Sequence, residues 1–202
     1  MIRVCPRSFD GAARTEGMQL ARAAFVAVLF AAPPAPEPPA HTEPLRSGLS
    51  NPMPGGQMVG YAGDTGLDIG GTLRPVYAIA SGTLDYSERG HTLWTGRGDT
   101  PNCVRIALDS PIERHGHEIT HAYYAHLSEL AFQKAEGSAE RVHVDAGQRL
   151  GTSGYGRGSP HLHLGLLLDG NVEQDDWAYI LREDAVREVL GKYRPGERLP
   201  PK

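Results

Sequence analysis

The sequence predicts a mainly β protein, with an antiparallel β-sheet core followed by a short helical C-terminal extension. Glycine and proline are abundant, with 25 and 16 residues among 202. This density of turn-forming residues favours strands joined by tight turns over a helix bundle. From Gly60 onward, short apolar runs alternate with glycine-rich turns, and no long helical period occurs before residue 174.

Six apolar runs have the length and composition of β-strands. They are residues 72–80, 82–86, 103–108, 119–127, 142–144 and 161–168. We therefore expect a sheet whose strands follow one another in short succession.

The C-terminal extension is predicted to contain a helix, because its apolar residues recur at helical spacing. These residues are Trp177, Ile180, Leu181, Ala185 and Val189. Asp175 and Asp176 precede the pattern as candidate N-terminal caps. Gly191 and Pro195 are expected to end the helix.

Residues 1–45 are predicted to be a leader and a linker. Within residues 18–35, Arg22 precedes about ten apolar residues, which is the pattern of a signal peptide. The pattern predicts a secreted, periplasmic or cell-envelope protein, with Met18 as a candidate start. The apolar run is too short for a membrane span, which needs about 20 residues. Residues 33–45, PPAPEPPAHTEPL, are expected to be an extended spacer.

Charge and cysteine content exclude two classes of protein. The formal net charge is −4, from 20 basic and 24 acidic residues, and no basic run occurs. Nucleic acid is therefore not an expected partner. The two cysteines, Cys5 and Cys103, form no CxxC motif and no disulfide framework. Cys103 lies in a predicted strand and is expected to be a small core residue.

His161 and His163 form the first candidate site element. Residues i and i+2 of a strand point to the same face, so both imidazoles are expected in one cleft. Leu162, Leu164 and Leu166 alternate with them and are expected to pack on the other face. An HxH pair alone is a weak signal, because chance pairs are frequent.

Asp64 and Asp68 form the second element, D-T-G-L-D. The surrounding glycines disfavour a helix. In an extended chain, residues 64, 66 and 68 share one face, and Gly66 leaves room for an ion between the two carboxylates. A solvated acidic turn is the alternative interpretation.

His126, in the segment YAHL, is the third candidate. A structural histidine is the alternative for this residue when it is considered alone. His121 lies in the same predicted strand, five residues away. This odd offset predicts that His121 points to the opposite face.

Together these elements resemble the lysostaphin/LytM-type family of zinc metallopeptidases that cut peptidoglycan. The matching segments are PVYAIASGTL (75–84), YAHL (124–127), DAGQRLGTSG (145–154) and SPHLHLGL (159–166), in the family's order. The similarity covers roughly residues 58–169. It implies a sheet of the duplicated-hybrid-motif type in a metallopeptidase domain at 46–170, followed by the helical extension at 171–202.

The resemblance also implies a role for each candidate residue. Asp68 and His163 would be zinc ligands, and Asp64 stands where the family has its first ligand, a histidine. His161 and His126 would act on the metal-bound water and on the substrate. The substrate would be the cross-bridge or stem peptides of peptidoglycan.

Asp64 is the departure from the family's pattern. A carboxylate oxygen binds zinc at about the same distance as an imidazole nitrogen. However, two anionic ligands would make the ion a weaker Lewis acid and raise the pKa of its bound water. Oxygen ligands also shift the preference toward harder ions such as manganese. The departure is therefore compatible with weakened, altered or lost activity.

Two other functions compete with the peptidase. A domain with a decayed metal site could bind peptidoglycan or regulate other cell-wall hydrolases, and Asp64 favours this alternative. The retained residues Asp68, His126, His161 and His163 disfavour it. A lipoyl- or biotinyl-carrier domain has a similar β-hairpin, but it needs a lysine at the hairpin tip. Residues 147–169 contain no lysine.

Overall fold

The computed structural model describes residues 40–59, 63–92, 96–173 and 176–191. The predicted signal peptide, Cys5, Asp175 and Pro195 lie outside these residues. Within the described residues, no helix has the length and apolar character that crossing a membrane requires. The division of the chain into leader, domain and extension stays a prediction.

The described residues form one antiparallel sheet, which confirms the predicted mainly β fold class. Its strands are β1 (Gln57–Met58), β2 (Leu67–Gly70), β3 (Pro75–Tyr77), β4 (Gly82–Arg89), β5 (Asn102–Arg114), β6 (His117–Leu130), β7 (His143–Val144), β8 (Arg149–Gly156) and β9 (Ser159–Leu168). They run in the order β1-β2-β9-β8-β6-β5-β4-β7, with β3 paired to β8 and β9 also paired to β6. The order brings β2, β6 and β9 together, although they are far apart in sequence.

Each face of the sheet has its own hydrophobic cluster. The alternating residues Leu162, Leu164 and Leu166 of β9 lie in the main core, as predicted from their spacing. Cys103 and Tyr123 lie in a smaller cluster apart from the main core. Burial raises the pKa of the Cys103 thiol to about 11, so this cysteine is an inert core residue, as predicted.

The strand β8 was not among the predicted runs, because its glycines resemble turn residues. In the structure they allow close approach between strands. A Cβ atom at Gly151 would collide with the carbonyl oxygen of Glu129 on β6. The turn between β8 and β9 is only Arg157–Gly158, and both residues have positive φ, 49° and 74°. This two-residue turn is typical of a tight β-hairpin.

The predicted helix of the C-terminal extension is confirmed only in its second half. The helix α1 (Glu183–Val189) ends just before Gly191, as expected. The prediction is wrong for residues 177–182, whose backbone groups pair with the sheet instead. Leu168 N donates to Tyr179 O at 2.8 Å and Leu181 N donates to Leu166 O at 3.0 Å. A backbone that donates to and accepts from a strand cannot also complete helical hydrogen bonds.

The other side of the same segment contacts the loop before β2. Gly66 N donates to Leu181 O at 2.7 Å, and Glu183 N donates to Asp64 O at 3.0 Å. Arg182 Nη1 also donates to Gly63 O at 3.0 Å. The extension therefore fixes the backbone on which Asp64 stands.

Candidate functional site

All five predicted site residues line one cleft of about 510 Å³. The residues are Asp64, Asp68, His126, His161 and His163. Strand pairing explains the convergence, because Asp68 of β2 lies opposite His163 of β9, which in turn lies opposite Ala125 of β6. The roles assigned to these residues stay predictions, while their common location is a property of the fold.

Asp68 is the centre of the cluster. Its Oδ1 atom lies 2.8 Å from His163 Nδ1 and 3.7 Å from His161 Nε2. Burial by itself raises the pKa of Asp68, but the hydrogen bond from His163 and the attraction of the three site histidines in their protonated forms lower it by a larger amount. The net effect is a pKa below the usual range, so the carboxylate is ionised at neutral pH.

His161 is held in one tautomer. Its Nδ1 atom lies 3.0 Å from the carbonyl oxygen of Ser159, which can only accept a hydrogen bond. Nδ1 therefore carries the proton. In the neutral ring, the Nε2 lone pair is then free on the side of Asp68. This arrangement suits a base that takes a proton inside the cleft.

His126 is a buried, neutral histidine. Its side chain faces the rings of His161 and His163 at centroid distances of 4.9 and 6.3 Å. Burial, together with repulsion from those two histidines in their protonated forms, lowers the pKa of His126 to about 4. Its Nδ1 atom is buried and has no hydrogen-bond partner among the described residues. A buried polar atom without a hydrogen-bond partner is costly to the folded state.

The alternation of β6 breaks at His126, so the prediction for His121 is wrong. Tyr124 and Leu127 both lie in the main core although they are three residues apart. The break coincides with His126, whose φ is +61°. His121 alternates with Tyr123 and therefore lies on the same side of β6 as the cleft residues. Its Nε2 atom is 3.5 Å from Asp85 Oδ2, away from the cluster.

Asp64 lines the cleft but is not assembled with the other donors. Its Oδ1 atom accepts a hydrogen bond from its neighbour Thr65 N at 2.9 Å. Among the residues that the structure describes, no group of three His, Cys, Asp or Glu side chains is arranged to hold a metal ion. Asp68 Oδ1 and His163 Nδ1, by contrast, lie 2.8 Å apart, at hydrogen-bond distance. Of the three predicted ligands, the structure therefore brings Asp68 and His163 together and leaves Asp64 at the wall of the same cleft.

Trp177 is a feature of the cleft that the sequence did not indicate. Its position in the helical pattern predicts an apolar contact. The structure instead leaves its side chain 63% exposed, at the wall of the cleft. The pairing of the extension with β9 brings Trp177 to the cleft that Asp64 also lines. No sequence pattern carries that information.

The metal-free protein is expected to lose stability in acid because of His126. Its pKa falls from 6.5 to about 4 on folding, so between these pH values the unfolded chain binds a proton that the folded protein does not. The free energy of unfolding should be fully retained above pH 6.5 and fall by up to about 3 kcal/mol as the pH decreases to about 4. Denaturant titrations across this range, with chelator, measure it. An equal loss in His126→Gln would contradict this origin.

The fold of this chain is similar to the folds of several solved structures. Lysostaphin from Staphylococcus simulans is 21% identical, with 81% of this chain and 59% of that chain covered and a TM-score of 0.48. A catalytic-domain mutant of the prophage-encoded M23 protein EnpA from Enterococcus faecalis is 18% identical, with coverages of 64% and 89% and a TM-score of 0.42. A chain of the SpoIIIAH and SpoIIQ complex is 17% identical, with 58% of this chain and 90% of that chain covered and a TM-score of 0.41.

These likenesses carry no argument about activity, because their TM-scores lie below 0.5. The chain also spans only about three-fifths of the lysostaphin chain that it matches. No protein-family model matches the sequence, and no curated protein matches it either. The case for a function therefore rests on the site itself.

Proposed function

We propose that the protein is a metal-dependent endopeptidase, with zinc as its ion, that hydrolyses peptide bonds of bacterial peptidoglycan at the cell envelope or outside the cell. The observation that carries the proposal is the contact of Asp68 Oδ1 with His163 Nδ1 at 2.8 Å, with His161 Nε2 at 3.7 Å from the same oxygen. The motif order of the sequence supports the substrate class.

Asp68 and His163 would hold the ion, with Asp64 as the third ligand. His163 Nδ1 and Asp68 Oδ1 lie 2.8 Å apart, at hydrogen-bond distance. As a ligand, His163 would present this nitrogen without its proton, because an imidazole nitrogen ligates only when it is deprotonated. Asp64 can approach with the carboxylate oxygen that does not accept from Thr65 N. When bound, the ion would polarise the scissile carbonyl and lower the pKa of water.

His161 and His126 would handle protons and charge around the scissile bond. His161, whose Nδ1 proton is held by the carbonyl oxygen of Ser159, would accept a proton from the attacking water at Nε2, which lies 3.7 Å from Asp68 Oδ1. His126 is neutral at physiological pH because of its low pKa. As a neutral imidazole it can donate one hydrogen bond to the developing negative charge on the carbonyl oxygen. The place of His126 in the cleft lining, beside His161 and His163, supports such a role.

A second candidate function is a non-catalytic domain that binds peptidoglycan or regulates other cell-wall hydrolases. The observation in its favour is the carboxylate of Asp64, which bonds to its own neighbour Thr65 instead of joining the other donors. A site that lacks its third ligand would bind an ion weakly. The cleft, with Trp177 at its wall, would remain available for a peptide.

Metal content separates the two functions. The full chain, purified without chelator, is expected to contain about one zinc or manganese ion, as measured by elemental analysis. His163→Ala should lose the ion, because only Asp68 and Asp64 remain as ligands. Asp64→His should bind zinc more tightly, because imidazole is the better zinc ligand. His117→Ala is the matched control, since His117 is exposed and paired with Asp169 at 2.6 Å outside the cleft.

The outcomes point in opposite directions. An ion in the parent that is lost only in His163→Ala would support the peptidase, and release of new amine termini from peptidoglycan would then be measured. A metal-free parent that acquires zinc only as Asp64→His would overturn the peptidase in favour of the binding or regulatory domain. Loss of the ion in His117→Ala as well would show that the ion is bound elsewhere.

A further inference from the structure

The backbone of His126 is held in a conformation that L-residues rarely adopt. Its φ is +61°, in the left-handed region. The residue lies where the pairing of β6 with β9 ends at Ala125 and the pairing with β8 begins at Leu127. This conformation turns the imidazole toward His161. Such backbone geometry persists only where the surrounding structure fixes it.

The hydroxyl of Thr100 provides that fixation. Thr100 Oγ1 donates to His126 O at 2.8 Å and accepts from Tyr155 N at 2.9 Å. Thr100 N in turn donates to Tyr155 O at 2.8 Å. One side chain therefore joins the carbonyl of His126 to β8 and uses both its donor and an acceptor lone pair.

Gly154 makes room for this contact. A Cβ atom at Gly154 would collide with Thr100 Oγ1 and lie 2.7 Å from His126 O. The absence of a side chain at this position lets the hydroxyl reach between the two strands. The close packing also leaves the His126 carbonyl little freedom to move once the hydroxyl is in place.

The loop that carries Thr100 is itself anchored. The carboxylate of Asp99 accepts hydrogen bonds from Gly96 N at 2.6 Å, Arg157 N at 2.9 Å and Gly158 N at 3.2 Å. These contacts fix the loop to the turn between β8 and β9. Thr100 is therefore presented to His126 by a segment that is hydrogen-bonded to the turn between β8 and β9, as a supporting residue of a functional site should be.

We propose that Thr100 is a positioning residue that holds the His126 imidazole in its working orientation in the cleft. The inference rests on the proposed function, because the orientation matters for rate only if the cleft performs hydrolysis. Thr100 does not line the cleft and touches His126 only through its backbone. Its effect is thus expected in the catalytic step and not in the binding of metal or substrate.

Three substitutions in the full chain test this role. Thr100→Val keeps the shape but removes the hydroxyl, and Thr100→Ser keeps the hydroxyl. Ser128→Ala is the matched control, because Ser128 Oγ donates to Ser153 O at 2.9 Å and joins the same two strands without touching His126. Thr100→Val is expected to lower kcat by about tenfold or more, with KM and bound metal near the parent values. Thr100→Ser should restore kcat to within about twofold, and Ser128→Ala should leave it unchanged.

Two readouts keep the inference separate from the proposed function. Equal losses of kcat in Thr100→Val and Ser128→Ala would overturn the positioning role. Such a result would mean that kcat depends on any hydrogen bond between β6 and β8 and not on the contact with His126. If the parent hydrolyses no peptidoglycan, the NMR signal of the His126 ring, identified by its loss in His126→Ala, is measured instead. The signal should move in Thr100→Val and stay in place in Thr100→Ser and Ser128→Ala. An unmoved signal in Thr100→Val would overturn the inference.

Discussion

Gly66→Ala is expected to abolish metal binding and to lower the free energy of unfolding by about 3 kcal/mol. Gly66 lies between Asp64 and Asp68 and has a φ of +73°. A Cβ atom there would lie 2.7 Å from His163 Nε2 and 2.8 Å from Leu164 O. The imidazole could rotate away, but the carbonyl of Leu164 belongs to the paired strand β9 and cannot. The new methyl group would therefore both strain the loop and displace a proposed ligand.

Gly63→Ala separates crowding from backbone strain. Gly63 also has a positive φ, +85°, but the nearest atom to its Cβ position is Arg182 Nη1 at 3.7 Å. This substitution should cost about 1 kcal/mol and leave bound metal unchanged. Denaturant titration and elemental analysis of both variants measure the difference. Equal stability and equal metal content in the two variants would show that the space beside His163 is not needed.

His126→Ala is expected to lower kcat by about 10²- to 10⁴-fold while bound metal stays at the parent level. The physical reason is that His126 faces the other site histidines without acting as one of the three proposed ligands. Its low pKa keeps it neutral, so the loss concerns a hydrogen bond to the reacting group. The measurement is the rate of release of amine termini from peptidoglycan, beside the metal content of each sample.

His121→Ala is the matched control for this prediction. His121 lies on the same strand and the same side of β6, with Nε2 3.5 Å from Asp85 Oδ2 and no place in the cleft. It should retain nearly the parent kcat. A loss of metal in His126→Ala would contradict the assignment by making His126 a ligand. Parent-like hydrolysis would remove His126 from the mechanism.

The comparison of the β6 histidines shows where sequence reasoning fails. Strict alternation separates His121 from His126, because their offset is odd. One residue with a positive φ shifts the alternation by one position, so the two residues lie on the same side of β6. At this position the carbonyl of His126 contacts Thr100 and Gly154, both of which belong to chain segments remote from β6. The alternation of residues within one strand carries no information about contacts with distant segments, so it cannot predict such a break.

The predicted helix of the C-terminal extension is wrong at residues 177–182 for a related reason. Its apolar spacing is helical from Trp177, and a helix would satisfy the same backbone groups. The strand β9 and the loop at Asp64 offer hydrogen-bond partners that compete with the helix over residues 179–183. Hydrogen bonds to β9 and to the loop at Asp64 form there in place of helical ones, so the helix is confined to Glu183–Val189. The exposed Trp177 beside the cleft is the consequence.

Local patterns in the sequence were enough to predict the mainly β class and the face that each leucine of β9 takes, because alternation along a strand needs no knowledge of distant contacts. The five side chains of the cleft were predicted in another way, from the order of motifs that resembles the lysostaphin/LytM-type family. The folded structure was needed to establish how β2, β6 and β9 align, how the His126 backbone turns and that Asp68 and His163 face each other. These features depend on hydrogen bonds between segments far apart in the chain, and distances between such segments exist only after folding.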